Sequence, residues 1–230
     1  MEKGVSSWLS ALPIKAIGYA VNKQELMDTI CMRYGWKVKG IPTHCACGEI
    51  NSVDHSLICK LGGYTLMRHN SVRDSEAQIM REVCRDVQTE STLLPINEND
   101  YERKVNNADN ARLDISARGL WNSCEKTFFD LRITHPISQS YFGKSLAEIY
   151  QQYKYNQRVI EIEKSSCNPL VVTTTAGMAP ECNGVNKRLA EKIAEKCKES
   201  YASVMTYVRT KLRFDRLRST LAAIQGFRGK

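Results

Sequence analysis

From Ala111 to Pro136 the chain reads Ala-Arg-Leu-Asp-Ile-Ser-Ala, a polar break, then Phe-Phe-Asp-Leu-Arg-Ile-Thr-His-Pro. Both halves alternate with the period of two that half-buried strands show. Leu113, Ile115 and Ala117 share one face of the first half, and Arg112, Asp114 and Ser116 the other. On the second half Phe129, Leu131 and Ile133 face one way, and Phe128, Asp130, Arg132 and Thr134 the other. Gly119 and Asn122-Ser123 supply turn residues between them, which predicts a hairpin. Antiparallel pairing would set Asp114 and Asp130 on the same side of one sheet. Adjacent carboxylates repel unless a cation lies between them, and an oxygen-only pair suits Mg²⁺ or Mn²⁺. The competing reading is a solvated sheet face.

At 230 residues, 42% of them apolar, the chain can bury the core of one medium domain plus an appendage. No stretch approaches the length of a membrane span, and the start lacks the apolar core of a signal peptide, so the expectation is a chain with no transmembrane segment that is not secreted. Nine cysteines, most of them isolated, suit a reducing compartment, nucleus or cytoplasm, with clustered cysteines kept for metal. Residues 185–230 hold twelve Lys and Arg against four Asp and Glu, an excess equal to the whole net charge of +8. A basic end on an otherwise balanced chain points to a polyanion, most commonly nucleic acid, through Lys187, Arg188 and Lys192; a merely solubilising helix is the bland alternative.

Residues 1–42 read as a helical lead-in, with a helix over Lys23–Tyr34, and the chain begins as a piece of something longer would. Residues 43–67 carry Cys45-x-Cys47-x₇-His55-x₃-Cys59, a spacing that can close a tetrahedral Zn²⁺ shell, with His44 as a substitute ligand. After Arg68-His69-Asn70, Ser71 and Asp74 form a capping-box variant that predicts a helix start. Val72, Ile79, Met80, Val83, Cys84 and Val87 then fill one helical arc, with Glu76 in its middle. A carboxylate on a buried stripe is costly unless it is protonated, paired or bound to metal. Residues 89–110 read as polar, with a short strand at Leu93–Ile96. A helix over Lys144–Lys164, a buried strand at Pro169–Thr175 and long helices with a basic outer face from Asn186 onward complete the chain.

Helix, short strand, hairpin, helix, strand is an order similar to the core of the PD-(D/E)XK nuclease superfamily. The Cys-Cys-His-Cys knuckle, Arg68-His69-Asn70 and the paired aspartates resemble the C-terminal region of non-LTR retrotransposon proteins that carry a restriction-like endonuclease. Trp8-Leu-Ser-Ala-Leu-Pro13, Arg33-Tyr-Gly-Trp36, Ala111-Arg-Leu-Asp114, Phe128-Phe-Asp130, Pro169-Leu-Val171 and Gly177-Met178 resemble a group of animal retroelement-like open reading frames. The likeness implies an α/β, restriction-endonuclease-like αβββαβ core over 68–184, between the zinc knuckle and a basic helical C-terminus, 185–230. It implies Glu76, Asp114 and Asp130 holding Mg²⁺ or Mn²⁺ for phosphodiester hydrolysis and target-site nicking. Partners would be DNA, bound partly through Arg68 and His69, the RNA of the parent element, and a reverse transcriptase in the parent polyprotein. Arg132 stands where the family's Asp-x-Lys motif has lysine, and guanidinium does not shuttle protons. The resemblance moves that role to Lys154, with Lys144 second, and leaves Arg132 to neutralise phosphate. Without such a lysine the chain would be a catalytically impaired, zinc-containing nucleic-acid-binding remnant.

Overall fold

The computed structural model describes residues 19–95, 111–135, 156–174 and 177–228. Helix α1, Lys23–Tyr34, has the predicted bounds. Asn22 caps it by accepting from the Glu25 N–H at 2.9 Å, while Glu25 Oε2 accepts from the Asn22 N–H at 2.8 Å. The short helix α2, Val53–Ile58, is capped by Ser52.

Helix α3, Tyr64–Val83, starts seven residues before Ser71, so the Ser71/Asp74 capping box is corrected. Gly63, with φ at 74°, occupies the cap position in a left-handed conformation that side chains resist, and it sets the start. Ser71 sits inside the helix, and its carbonyl accepts from Ser75 Oγ.

Strand β1, Arg85–Thr92, lies in the stretch read as helix stripe and polar loop, not at Leu93–Ile96. Val87 therefore belongs to the strand. β1 is an edge strand whose ladder slips between Arg85 and Gln88, with positive φ at Asp86 and Glu90. Such irregularity breaks the two-residue alternation that reveals a strand in sequence. Leu93 is placed and buried just past β1; Ile96 lies outside the described residues.

The hairpin forms as expected, from β2, Arg112–Arg118, and β3, Lys126–Thr134. Ile115 pairs with Phe129 and Ser116 with Phe128. Helix α4, Asn156–Glu161, leads to β4, Ser166–Thr173, which runs parallel to β3. The sheet order is β1-β2-β3-β4, and Pro169 is tolerated because β4 is at an edge. Among the described residues, α3–β1–β2–β3–α4–β4 runs helix, three strands, helix, strand, with the strands in a four-stranded mixed sheet.

Helix α5, Pro180–Cys197, begins six residues before Asn186, and α6, Tyr201–Arg228, packs along α3 and α5. α3 runs unbroken across the expected boundary at 67/68, and α5 across that at 184/185.

The hairpin is not half-buried. Phe128 and Phe129, neighbours on β3 and therefore on opposite faces, are both fully buried. One face packs Ile115, Phe129 and Leu131 against α3, α5 and α6 through Ile79, Met80, Leu189 and Val208. A second cluster gathers Phe128 of β3 with Leu93, Leu113 of β2 and Val159 of α4. Buried hydroxyls of the sheet are paired: Ser116 Oγ and Ser91 Oγ lie 2.7 Å apart, and Thr127 Oγ1 meets Ser166 Oγ at 3.0 Å. Among the described residues no helix is long and apolar enough to cross a membrane.

Candidate functional site

The knuckle is built by a tight turn and a short helix. His44 and Ile50 form a β-bridge, the Cys45 N–H donates to Glu49 O, and the Gly48 N–H donates to Cys45 O. Gly48 has φ at +95°, where a side chain would strain the turn. Cys45 and Cys47 project from this turn, His55 from the first turn of α2, and Cys59 from its C-cap. Their ligand atoms all lie within 4.8 Å of one another. Cys45 Sγ and Cys59 Sγ are 3.8 Å apart, and Cys47 Sγ and His55 Nε2 are 3.3 Å apart. A tetrahedron with Zn–S bonds of about 2.3 Å has an S–S edge of about 3.8 Å, so the donor set fits Zn²⁺. Hydrogen bonding from the Cys47 backbone N–H, with smaller help from His55, outweighs burial and draws the Cys45 thiol down to about 7. Burial pushes the Cys59 thiol up. A thiolate is the metal ligand, so Cys45 is prepared for that role at neutral pH. His44 lies outside this set.

Side-chain hydrogen bonds help dock the knuckle on the core. His135, just beyond β3 and nearly buried, has Nε2 2.9 Å from Asp54 Oδ1 and Nδ1 2.7 Å from Thr174 Oγ1. Arg68 Nη2 donates to Leu57 O at 2.9 Å. Arg68 was expected to bind nucleic acid; it is buried instead, only 6% exposed, and burial lowers its pKa. A guanidinium inside the fold cannot reach a phosphate outside it.

His69 is also turned inward. Its Nε2 lies 3.1 Å from Leu131 O and 3.4 Å from Asp114 Oδ1. Asp114 Oδ2 accepts from the Leu131 N–H at 2.6 Å, just beyond the Ile115–Phe129 pair that ends the β2–β3 register. Asp130 hydrogen-bonds to the Asp114 side chain. Burial pulls Asp114 up, but His69, the Leu131 N–H and Asp130 outweigh it, and its pKa falls below 3.8. The hydrogen bond to Asp114 lifts His69 above 6.5 against the opposing effect of burial.

These shifts set a pH window. His69, raised in the fold, contributes fully below pH 6.5, and its share is lost as pH rises through the folded value. Asp114, lowered in the fold, contributes fully above pH 3.8, and its share is lost as pH falls through the folded value. The pair therefore stabilises most between those limits. His69→Gln is expected to remove the decline in stability on the alkaline side, measured as urea midpoints across pH 4–9. An unchanged alkaline slope in His69→Gln would show that the pair contributes nothing.

Glu76 goes elsewhere. It is fully buried, and Oε1 accepts from Arg216 Nη2 of α6 at 2.9 Å. Burial raises its pKa, and Arg216 only partly offsets this. Among the described residues, the Cys/His set is the one group of three or more His, Cys, Asp or Glu side chains close enough to hold a metal ion; Glu76, Asp114 and Asp130 are not gathered in that way. Arg132 is half-buried on β3, and Lys144 and Lys154 lie outside the described residues.

No family model matches this chain, and no curated protein does.

Of the basic C-terminal residues, Lys187 is exposed, while Arg188 is tied to Leu120 O at 3.2 Å and Glu191 at 3.1 Å. Lys192 lines a groove with Arg81, Arg85 and Lys196, where Glu82 and Glu195 are the acidic members. α6 is less of a basic outer face than expected. Arg216 is buried and Arg218 donates to Ala20 O at 2.9 Å. Sequence reasoning missed Arg216, although it follows Val208 and Leu212 at the same four-residue step. The argument that singles out Glu76, a charge on an apolar stripe, applies equally to it. Asp54 and His135 were missed too; Asp54 adjoins the ligand His55, but nothing local marks His135 as its partner.

Proposed function

We propose that this chain is a zinc-containing nucleic-acid-binding module derived from a retroelement endonuclease, whose core carboxylates serve the fold rather than metal-dependent hydrolysis. The observation that carries the reading is the commitment of Glu76 to Arg216. A carboxylate neutralised by a buried guanidinium leaves no charge for Mg²⁺. Asp114 is likewise occupied by the Leu131 N–H and His69. Binding is supported by the zinc-ligand set and the Arg81, Arg85, Lys192 and Lys196 groove. Zinc, where bound, supplies folding energy rather than chemistry, because four protein ligands leave no open position.

The second reading is an active nuclease of the PD-(D/E)XK kind. It is favoured by the hydrogen bond between Asp114 and Asp130 on adjacent strands, and by the helix, three-strand, helix, strand order of the described residues. Lys154 or Lys144 would then orient the attacking water, and Arg132 would meet the phosphate.

Two measurements test the proposal. Changing Lys187 and Lys192 together to Glu is expected to weaken duplex binding similarly for all sequences and to lower the salt slope by about 2. An unchanged slope would reduce those lysines to a solvated face. Supercoiled DNA incubated with the protein and Mn²⁺ is expected to stay intact. Nicking that disappears in Asp130→Asn would overturn the non-catalytic reading in favour of the nuclease.

A further inference from the structure

Arg33-Tyr34-Gly35-Trp36 ends α1, and the functional reading above leaves it without a role. Gly35 takes φ 66° and ψ 24°, the left-handed helix stop that glycine adopts without strain. The Trp36 N–H then donates back to Cys31 O at 2.8 Å. This reversal folds Trp36 beside Tyr34, the last helical residue. The two rings stack with centroids 5.2 Å apart at 27°. Tyr34 is 57% exposed and Trp36 58% exposed.

Aromatic rings carry a large apolar surface, and a folded chain gains by covering it. Here two of them are held together in solvent by a specific turn. The pair is also charged at its margin. The Arg33 guanidinium sits 5.7 Å from the Tyr34 ring centre, within cation–π reach, and Lys37 follows in an exposed position. Aromatic faces flanked by cations suit a ligand with flat π surfaces spaced along a chain of negative charge. Unpaired nucleotides have that chemistry. Bases in a duplex do not, because each face is already stacked on its neighbour.

We propose that Tyr34 and Trp36 form a stacking platform for the bases of single-stranded nucleic acid, with Arg33 and Lys37 meeting the flanking phosphates. The proposal rests on the nucleic-acid-binding reading and adds to it a strand form and a site. Cys45 follows Trp36 by nine residues, so one segment carries both the platform and the first zinc ligand. Gly35 is the residue that makes the platform, since a side chain there would strain the turn that brings the rings together.

The experiment uses the full chain with zinc, a labelled oligothymidylate of about 12 nucleotides and a labelled duplex, with binding followed by anisotropy. Trp36→Ala and Tyr34→Ala are expected to weaken single-strand binding by about tenfold to a hundredfold, leaving duplex affinity unchanged. Trp36→Phe, which keeps a ring, is expected to retain most of the affinity. Unlabelled oligomer should quench tryptophan emission in the wild type, and the quench should vanish in Trp36→Ala, where Trp8 and Trp121 remain. Single-strand affinity that survives Trp36→Ala overturns the platform and leaves the nucleic-acid reading standing. Equal loss of both strand forms also overturns it, because stacking cannot act on paired bases. A wild type that binds neither form overturns both readings, and the exposed pair then belongs to a protein contact.

Discussion

Glu76→Gln is expected to destabilise the protein by about 3–5 kcal/mol, because it leaves a charged arginine uncompensated in the interior. For a chain of this size the melting temperature should fall by roughly 6–20 °C. Arg216→Met should cost less, since an abandoned carboxylate can take up a proton whereas guanidinium keeps its charge. Burial already pushes Glu76 toward the protonated form. Arg216 has further demands, because its Nε and Nη1 are buried without a hydrogen-bond acceptor. Replacing both residues with apolar ones of similar volume, Glu76→Leu with Arg216→Met, should recover much of the loss. The Glu76→Gln variant also decides between the two functional readings. A carboxylate kept for Mg²⁺ repels its neighbours in the empty site, so Glu76→Gln would then leave the metal-free fold unchanged or slightly more stable. Thermal melts of the four proteins, with and without Mn²⁺, give the answer. A stable Glu76→Gln together with a Mn²⁺-dependent rise in the wild type would sink the structural assignment.

Stripping zinc should have the larger local effect. Protein purified without chelator is expected to carry about one zinc per chain, as one four-ligand site requires. Structural zinc sites contribute apparent binding energies of about 10–16 kcal/mol, more than a short turn and the six-residue α2 recover by packing. Cys59→Ser or chelation should therefore unfold residues 43–62, read as new proteolytic cuts there. The consequence should reach the sheet. Asp54 lies next to the ligand His55 and holds His135, so losing the knuckle removes a partner from a nearly buried imidazole. Thr174 alone would then orient that ring. Hydrogen exchange at the ends of β3 and β4 should quicken on chelation, whereas β2 should be unaffected. Reduced, folded protein that holds no zinc and shows no new cleavage would remove the metal from this account.

Local chemistry made part of the fold legible. Asn22 and Glu25 cap α1 within four residues, and Gly35 stops it, so its bounds needed no tertiary information. The hairpin likewise follows from alternation and a turn. The zinc ligands follow from spacing because a turn and a short helix bring them together without help from the rest of the chain. β1 stayed hidden because an irregular edge strand with charged side chains has no periodic signature. The early start of α3 also escaped notice, since Gly62-Gly63 reads as a loop as readily as a helix boundary.

What the sequence determined by itself was the set of local interactions, those closed within a few residues by caps, turns, alternation and ligand spacing. Tertiary structure decided what each charged side chain is for. Glu76 and Arg216 are 140 residues apart, and nothing local says that they meet. Arg68 and His69 look like a basic surface until Leu57 O and Asp114 are brought to them. Desolvation depends on what covers a group, and in this fold the cover comes from distant elements: α6 over Glu76, α2 against Arg68, the sheet against His69. An ionisable residue can therefore be found from a sequence, but its partner, and with it its protonation and its role, exists only once the chain has folded.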